Sequence, residues 1–490
     1  MVDASGIAPG IEALLPVGVR PRQLSVRTLV VGIVLALSED RPAHLSRVHA
    51  ALVSLPEADR RRLGVVVEWK RGPHALTYRQ VERTFSLVAG ALAKAEPDGA
   101  PTQVLQEILD AFIEASIPAE HKQGSSSLAV DWTDVESFST RRTKPDGHYA
   151  DKEAAWGHRK GGGPGEKDEL FFGYYLSLAT MVADEGGAQV PELVRRMDLV
   201  SCDYDPVPPM VGVLVAMGDA GTALGDVVVD SGYAHRVPEH FALPLRQAGA
   251  SLVMDLHPSD RGTQGTFAGA IACNGNLYCP ATPKALFDLV PLARGASQEE
   301  VAAHDKRSSE IARYKLGRVA GPDPDGYSRV MCPALLNKVR CPLHPTSMQL
   351  PLDHAEVLAP PEHPQVCCTQ HTITVPPQVN AKTAQRHDYP GKAWRRSYAR
   401  RSAAERANAR IKDPATIDVA RGWCRTMGLV PMSLFLACAL VARNLAVADA
   451  FEQRRADDER RAATGLSPRT RRRRRRTLAD LVGASAKEPP

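Results

Sequence analysis

The feature that most constrains the fold is a change in the spacing of apolar residues near residue 120. Between residues 23 and 118, apolar residues recur at helical spacing in segments such as VRTLVVGIVLALS and PTQVLQEILDAFIEA. From residue 127 onward, short apolar runs bounded by Gly and Pro alternate with helical segments. We therefore predict an all-helical domain over residues 23–120, followed by an α/β domain with a mixed sheet flanked by helices.

The α/β series begins with SLAVDW at 127–132, which is typical of a buried strand. ELFFGYYLSLATMVAD at 169–184 predicts either one long strand or a pair of strands. The pattern then predicts, in order, a helix at 210–221, a strand that ends in a turn at 225–235, a helix around 237–248 and a strand at 251–257.

Residues 258–385 interrupt this alternation, because they are rich in Pro, Cys and His and show few periodic segments. We predict an irregular or β-rich insertion there. Helical patterns return at 392–412 and 416–455, so the α/β domain is expected to be assembled from 121–257 and 386–455.

The two ends of the chain are predicted to be irregular. Residues 1–22 are rich in Gly and Pro, and residues 456–490 are strongly charged and include the unbroken run Arg471–Arg476. Such a run repels itself and is expected to be a disordered basic tail that attracts DNA non-specifically, or a solvated run with no specific role.

Size and composition indicate a cytoplasmic protein of two or three domains. A chain of 490 residues exceeds what one hydrophobic core supports. The apolar run 29–37 has no cleavage site after it, and the run 427–442 is shorter than the roughly 20 residues of a membrane span, so no membrane association is expected and the second run is predicted to be a buried core helix. The nine cysteines are then expected to be free thiols or metal ligands.

Three acidic residues stand where a metal site would need them. Asp131 follows the apolar run SLAV, and Asp230 ends the apolar run DVVV. Neighbouring strand ends in an α/β sheet bring such side chains to one edge, over which a helix carrying Glu405 could lie. Carboxylates are ligands that Mg²⁺ prefers, and two such ions about 3.5–4 Å apart support phosphoryl transfer.

Each acid also has an ordinary structural interpretation. An Asp at a strand end often caps a turn, and a Glu in a basic helix is often half of a solvated ion pair. Asp134 and Glu136 compete with Asp131 as the residue that an extended strand would present.

One motif adds a resemblance to these placements. Tyr398, Arg401, Glu405 and Lys412 are spaced as Tyr, two residues, Arg, three residues, Glu, six residues, Lys. This spacing resembles the YREK signature of one large branch of insertion-sequence DDE transposases. VVVDSGYAH resembles the strand that carries the second Asp of that family, and VDWT resembles the first-Asp motif, with Trp132 in place of the usual Gly.

The resemblance covers about residues 125–450 and implies an RNase H-like catalytic domain. It further implies Mg²⁺ or Mn²⁺ as cofactor, two ions being held when DNA is bound, with Asp131, Asp230 and Glu405 as metal ligands and catalytic residues. The expected partners are double-stranded DNA, namely the terminal inverted repeats and the target, and a second copy of the chain. The N-terminal helical domain is then expected to bind DNA, although a packed bundle without DNA contact is the alternative.

The helix that carries Glu405 is unusually basic. By the resemblance, Tyr398, Arg401 and Lys412 would position the DNA strand end, since offsets of 3, 4 and 7 residues share a helix face. Arg396 and Arg400 are expected to add phosphate contacts. A solvated basic helix is the alternative.

Six cysteines cluster in the insertion. Thiolates are zinc ligands, so a structural zinc ion could organise this region. No pair has zinc-ribbon spacing, however, and buried thiols are the alternative. The six are Cys273, Cys279, Cys332, Cys341, Cys367 and Cys368.

Two other functions stay open from the sequence. A decayed or domesticated copy would bind DNA without cutting it, and an RNase H-like nuclease of another class would cut DNA without joining it.

Overall fold

The computed structural model describes residues 1–16, 22–38, 44–69, 72–94, 103–139, 149–159, 168–293, 295–413, 419 and 424–468. The glycine-rich loop at 161–167 and the run Arg471–Arg476 lie outside these residues. The chain divides into two compact units, Met1–Leu445 and Ala446–Pro490. The first unit contains the helical region, the main sheet and the insertion together.

The N-terminal region is mainly helical. Its helices are α1 (Ile7–Leu14), α2 (Val26–Ser38), α3 (Leu45–Ser54), α4 (Glu57–Arg62), α5 (Tyr78–Ala93), α6 (Gln103–Glu114) and α7 (Ala119–Lys122). In α5, a capping box of Thr77 and Gln80 begins the helix, and Val81, Phe85 and Val88 are buried along one face.

Two expectations for this region are wrong. The first residues are not irregular, because α1 buries Ile7 and Ile11 in the core that it shares with α2. The region is also not purely helical, since the short strands β1 (Val66–Trp69) and β2 (Gly72–Ala75) pair antiparallel. A hairpin of four-residue strands is too short to show a clear period-2 pattern.

The central sheet is mixed and flanked by helices, as predicted. Its six strands are β3 (Ser127–Glu136), β4 (Ala155–Arg159), β5 (Glu169–Val182), β6 (Val194–Ser201), β7 (Asp226–Val229) and β8 (Ser251–Met254). The order is β4-β5-β3-β7-β8, with β6 pairing along a further part of β5. β3 is antiparallel to β5 but parallel to β7, and β7 is parallel to β8. The helices between these strands are α8 (Val207–Asp219), α9 (Ser231–Ala234) and α10 (Ala242–Gln247).

The apolar runs formed strands where expected, and 169–182 forms one long strand. The strand predicted at 225–235 is shorter than expected: it ends at Val229, because Asp230 caps the short helix α9. β6 escaped prediction because its sequence, VRRMDLVS, is charged although every residue in it is buried. Arg195 and Arg196 both reach Glu114 of α6, so their charges are paired inside the fold. A buried ion pair makes a core strand look polar in the sequence.

The insertion consists of short strands, as predicted, and one long helix that was not. The strands are β9 (Thr263–Phe267), β10 (Ala270–Cys273), β11 (Asn276–Tyr278), β12 (Gly317–Ala320), β13 (Ser328–Met331), β14 (Val339–Arg340), β15 (Ala355–Glu356) and β16 (Ile373–Val375). The helices are α11 (Gln298–Arg313) and α12 (Val366–Thr369). A capping box of Ser297 and Glu300 begins α11, which buries little apolar surface and therefore has a weak amphipathic pattern.

The last helices are α13 (Lys392–Tyr398), α14 (Ser402–Lys412) and α15 (Leu429–Ala463). The basic tail was predicted to be disordered from residue 456, but α15 continues to Ala463, where close i,i+3 ion pairs such as Arg455–Glu452 support the helix. By length and composition α15 could cross a membrane, yet 83% of its most apolar window is buried inside the protein, as the predicted core helix requires.

Candidate active site

Asp131 lies on β3, and Asp230 comes directly after the neighbouring parallel strand β7. The register pairs Leu128 of β3 with Val227 of β7, and Ala129 with Val228. Each Asp stands two residues beyond the second of these pairs, so both reach the same edge of the sheet. The structure thus brings together the two acids that strand ends were expected to place side by side.

The carboxyl of Asp131 is largely buried and lies near other acids. Its side chain is 16% exposed and lies 3.7 Å from the guanidinium Nη1 of Arg401. The backbone N–H of Trp132 donates to Oδ1 at 3.0 Å, and Nδ2 of Asn408 donates to Oδ2 at 3.2 Å. Burial, and then the charge of Asp230, raise the pKa of Asp131 to about 7. A bound cation would reduce the repulsion between these two neighbouring acids.

Asp230 has a structural role that uses one of its two carboxylate oxygens. It caps α9, because its Oδ1 accepts from the backbone N–H of Gly232 at 2.9 Å and from that of Tyr233 at 3.4 Å. Both hydrogen bonds use the same oxygen. The ordinary interpretation of a capping Asp therefore holds, and it still leaves Oδ2 outside the cap.

Glu405 lies in the first turn of α14, which packs closely on the sheet. The small side chains of Ala403 and Ala404 pack with Ala129 of β3 and Val182 of β5, so the helix backbone approaches the strands. Glu405 is 45% exposed, and its Oε1 accepts from Nη2 of Arg401 at 2.5 Å. Its charge also raises the pKa of Asp131, after the larger effects of burial and Asp230. Glu405 thus belongs to the same electrostatic cluster as the two aspartates.

Arg401 lies at the centre of this cluster. Its guanidinium contacts both Glu405 and Asp131 and lies 5.9 Å from the ring centre of Tyr398. The Tyr398 ring stacks on Trp394, with centres 4.9 Å apart. In this structure, Arg401 provides the positive charge that offsets the acids.

The helix carrying these residues is not continuous, contrary to the expectation of one uniform face. A 3₁₀ turn at Ala399–Arg401 separates α13 from α14. Because a 3₁₀ turn has 3.0 residues per turn, it changes the phase between Tyr398 and the residues that follow. Tyr398, Arg401 and Glu405 nevertheless remain in one chain of contacts.

Lys412 lies away from the three acids. Its Nζ bonds to Asp134 Oδ1 at 2.6 Å, and Arg159 contacts both Asp134 and Glu136. Burial alone would raise the pKa of Asp134, but the hydrogen bonds from Arg159 and Lys412 hold it below its ordinary value. Asp134 and Glu136, which competed with Asp131 in the sequence, are therefore already paired with cations.

The two remaining arginines have different environments. Arg400, expected to contact DNA phosphates, instead bonds to the buried carboxylate of Asp226 at 2.6 Å and to the backbone oxygen of Ala183. That expectation is wrong for Arg400, because a buried acid already binds its guanidinium. Arg396 is exposed, as a phosphate contact requires.

The three acids offer the type of ligand that divalent metal ions prefer, but their oxygen atoms are not close enough together to hold a single ion. Asp131, Asp230 and Glu405 offer only carboxylate oxygens, as Mg²⁺ and Mn²⁺ prefer. Among the described residues, however, the only three ligand atoms within 4.8 Å of one another belong to His235, His257 and Asp260. The 4.8 Å limit describes the ligand atoms of a single ion. The ligand atoms of a two-ion site can lie farther apart, because the ions themselves stand about 3.5–4 Å apart.

The compact group of His235, His257 and Asp260 is a weaker candidate. The Nδ1 of His257 already bonds to Ser259, and Lys382 lies 2.8 Å from Oδ2 of Asp260. A lysine ammonium on the only carboxylate opposes a bound cation.

Sequence reasoning missed Asn408 and the packing of Trp132. Asn408 follows Glu405 by three residues, so helical spacing could have placed it on the same face. Trp132 packs on Tyr233 with ring centres 4.8 Å apart. Trp132 thus joins the strand of Asp131 to the helix that follows Asp230.

No family model matches this chain. No curated protein matches it either.

Proposed function

We propose that this protein is a metal-dependent DDE transposase that cleaves DNA at the ends of its element and joins those ends to target DNA. The observation that carries the proposal is the position of Asp131 on β3 and of Asp230 directly after the adjacent parallel strand β7, with Glu405 in the same electrostatic cluster. The YREK spacing of the helix above them supports it. A mixed sheet with one aspartate on a central strand and the other directly after its parallel neighbour is also consistent with an RNase H-like domain.

The reaction would proceed in two phosphoryl transfers. Water attacks a phosphorus at the element end and the bond to the 3′ oxygen breaks, which leaves a free 3′-hydroxyl. That hydroxyl then attacks a target phosphorus and displaces another 3′ oxygen. Mg²⁺ or Mn²⁺ would activate the attacking oxygen and stabilise the leaving one.

The chain's own residues would hold the reactants. Asp131, Asp230 and Glu405 would bind the ions, and the raised pKa of Asp131 means that ion binding displaces a proton near neutral pH. Arg401 is placed to exchange its carboxylate partners for a DNA phosphate once the ions neutralise the acids. The exposed Arg396 would add a phosphate contact nearby.

The same proposal includes the partners. The helical region before residue 120 would bind the terminal inverted repeats, and the active form would be a homodimer on paired ends. The protein would act in the cytoplasm of a bacterium, at the nucleoid when bound to DNA.

The test is a strand-cleavage and joining assay on DNA that carries the sequences flanking the gene, with wild type and Glu405→Gln. We expect products that require Mg²⁺ or Mn²⁺ and vanish in Glu405→Gln, while DNA binding persists, because the substitution removes a ligand charge without changing shape. Lys412→Gln is a matched control on the same helix that should keep metal binding but lower activity.

DNA binding without cleavage by the wild type would instead favour a decayed copy that only binds DNA. Cleavage without joining would favour a nuclease of another class.

A further inference from the structure

Four buried thiols from the insertion line one cavity. They lie at four positions between residues 279 and 368, and each is at most 8% exposed. We call them the four-thiol pocket, which comprises Cys279, Cys332, Cys341 and Cys368. The imidazole of His344 lines the same cavity, and its Nε2 is buried without a hydrogen-bond partner among the described residues. A buried imidazole nitrogen without a partner is costly in an ordinary apolar core, so this cavity calls for an explanation.

Three of the four cysteines each begin a turn of a similar kind. Cys279, Cys332 and Cys341 are each followed by Pro, and no other Cys in the chain is. In each case, the chain folds back on the Cys carbonyl within four residues. The donors are the backbone N–H of Thr282 to Cys279 at 3.0 Å, of Leu336 to Cys332 at 3.2 Å, and of His344 to Cys341 at 2.9 Å.

Burial raises the pKa of these three thiols, and backbone N–H groups of the same turns act in the opposite direction. A metal ion binds the thiolate form, so binding in this pocket would displace protons.

The fourth thiol is supplied by α12. Cys368 lines the cavity, whereas its neighbour Cys367 does not, although their sulfurs are 3.9 Å apart. Cys273 is equally buried but also lies outside the cavity lining. The structure therefore divides the six cysteines of the insertion into four that share a cavity and two that do not.

We propose that the four-thiol pocket binds one structural Zn²⁺ ion. Zinc in structural sites takes four ligands in a tetrahedron and favours sulfur, with Zn–S distances of about 2.3 Å. The sulfurs are more widely spaced in the present structure, since no three of them are among the ligand atoms found within 4.8 Å of one another in the described residues. Binding would draw them inward and fill the cavity.

The ion would cross-link a region built from short segments. Strands of two to five residues surround the pocket, and three of the thiols lie in a buried cluster that also contains Phe287, Ile311 and Val339. A zinc ion would cross-link the turns before α11, around β13 and β14, and at α12. Metal binding of this kind contributes directly to folding free energy.

The first test needs no variant. Purified full-length protein, dialysed against metal-free buffer, is assayed for zinc by mass spectrometry while a mercurial reagent titrates its thiols. We expect one zinc per chain, released as four thiols react. Protein that is folded and contains no stoichiometric zinc, and that binds none when zinc is added, would overturn the proposal.

A second test identifies the ligands. We expect Cys332→Ala and Cys341→Ala to lose at least 90% of the bound zinc, whereas the matched controls Cys273→Ala and Cys367→Ala should keep it. Substitution with Co²⁺ should give the sulfur-to-metal absorption of a tetrahedral thiolate site in wild type and in the controls. Should the ligand variants fail to fold, the Co²⁺ spectrum of the wild type still decides the matter. Absorption without thiolate character, or zinc lost from His344→Ala but kept in Cys368→Ala, would contradict four-thiolate binding.

These readouts are independent of the proposed transposition. A protein without cleavage activity could still contain the zinc ion, and an active protein without zinc would leave the transposase proposal intact.

Discussion

The indole of Trp132 occupies the space that a β-carbon on Gly232 would need. A methyl group built on Gly232 would lie 2.4 Å from Cη2 of the ring and 3.0 Å from Oδ1 of Asp230. The first contact is too short for any real carbon pair, so the indole of Trp132 fits here because residue 232 is Gly. The two catalytic candidates are thereby linked by packing as well as by strand register.

This contact predicts a non-additive pair of substitutions. Gly232→Ala should destabilise the protein by about 1–3 kcal/mol, because it forces the indole or the capping Asp230 to move. In a Trp132→Ala background the same change should cost much less, since the indole is gone. Gly212→Ala, at a site with nothing within 4 Å of the added methyl, is the control. Urea unfolding of wild type, the two single variants and the double variant measures the coupling between Trp132 and Gly232. Additive losses of stability would contradict the packing of the indole against Gly232.

The raised pKa of Asp131 predicts how stability without metal depends on pH. Between pH values near the ordinary and the raised pKa, the folded state keeps a proton that the unfolded state has lost. The contribution of Asp131 therefore lowers the free energy of unfolding as the pH rises toward about 7. Asp131→Asn removes this loss and should be more stable than wild type at neutral pH, by on the order of 2 kcal/mol.

Asp134→Asn is the matched control for that experiment. The pKa of Asp134 is held low by Arg159 and Lys412, so its carboxylate stabilises the fold at neutral pH. We expect this variant to lose stability near pH 7 and to differ little from wild type below the lowered pKa. Chemical unfolding at both ends of this pH range, in chelator, measures both effects. Equal changes of stability with pH in the two variants would contradict the opposite pKa shifts of Asp131 and Asp134.

Arg401 is expected to compete with metal in the absence of DNA. Its guanidinium binds Glu405 and lies 3.7 Å from Asp131, so Arg401→Ala should tighten Mn²⁺ binding several-fold at a pH above the pKa of Asp131. The same change should lower strand cleavage, because a phosphate contact is lost. Calorimetric titration with Mn²⁺ tests the first effect. Weaker Mn²⁺ binding in the variant would show that Arg401 organises the acids instead.

Arg400 and Arg396 should separate stability from DNA binding. Arg400→Ala removes one of two arginines from the buried Asp226, the other being Arg386, and should destabilise by about 2–4 kcal/mol. Arg396→Ala should leave the melting temperature unchanged. It should weaken binding to any DNA duplex and reduce the dependence of log K on log salt by about 0.9 for one lost phosphate contact. A stability loss in Arg396→Ala, or none in Arg400→Ala, would reverse the two roles.

The sequence by itself determined the parts of this protein that depend on local pattern. Apolar runs predicted β3, β7 and β8, and helical spacing predicted α2, α5 and α14. The sequence also predicted that Asp131 and Asp230 would lie at one edge of the sheet, because neighbouring parallel strands run in the same direction. These features follow from the period of the backbone, which a sequence displays directly.

Only the tertiary structure decided which charged and sulfur-containing side chains meet. It paired the arginines of β6 with Glu114, bound Arg400 to Asp226, and separated four cysteines of the insertion from the other two. Such contacts join residues that are far apart in the chain, and their energy depends on burial and on the partner. No periodic pattern records either quantity, so the identity of the buried ion pairs and of the four-thiol pocket had to come from the fold.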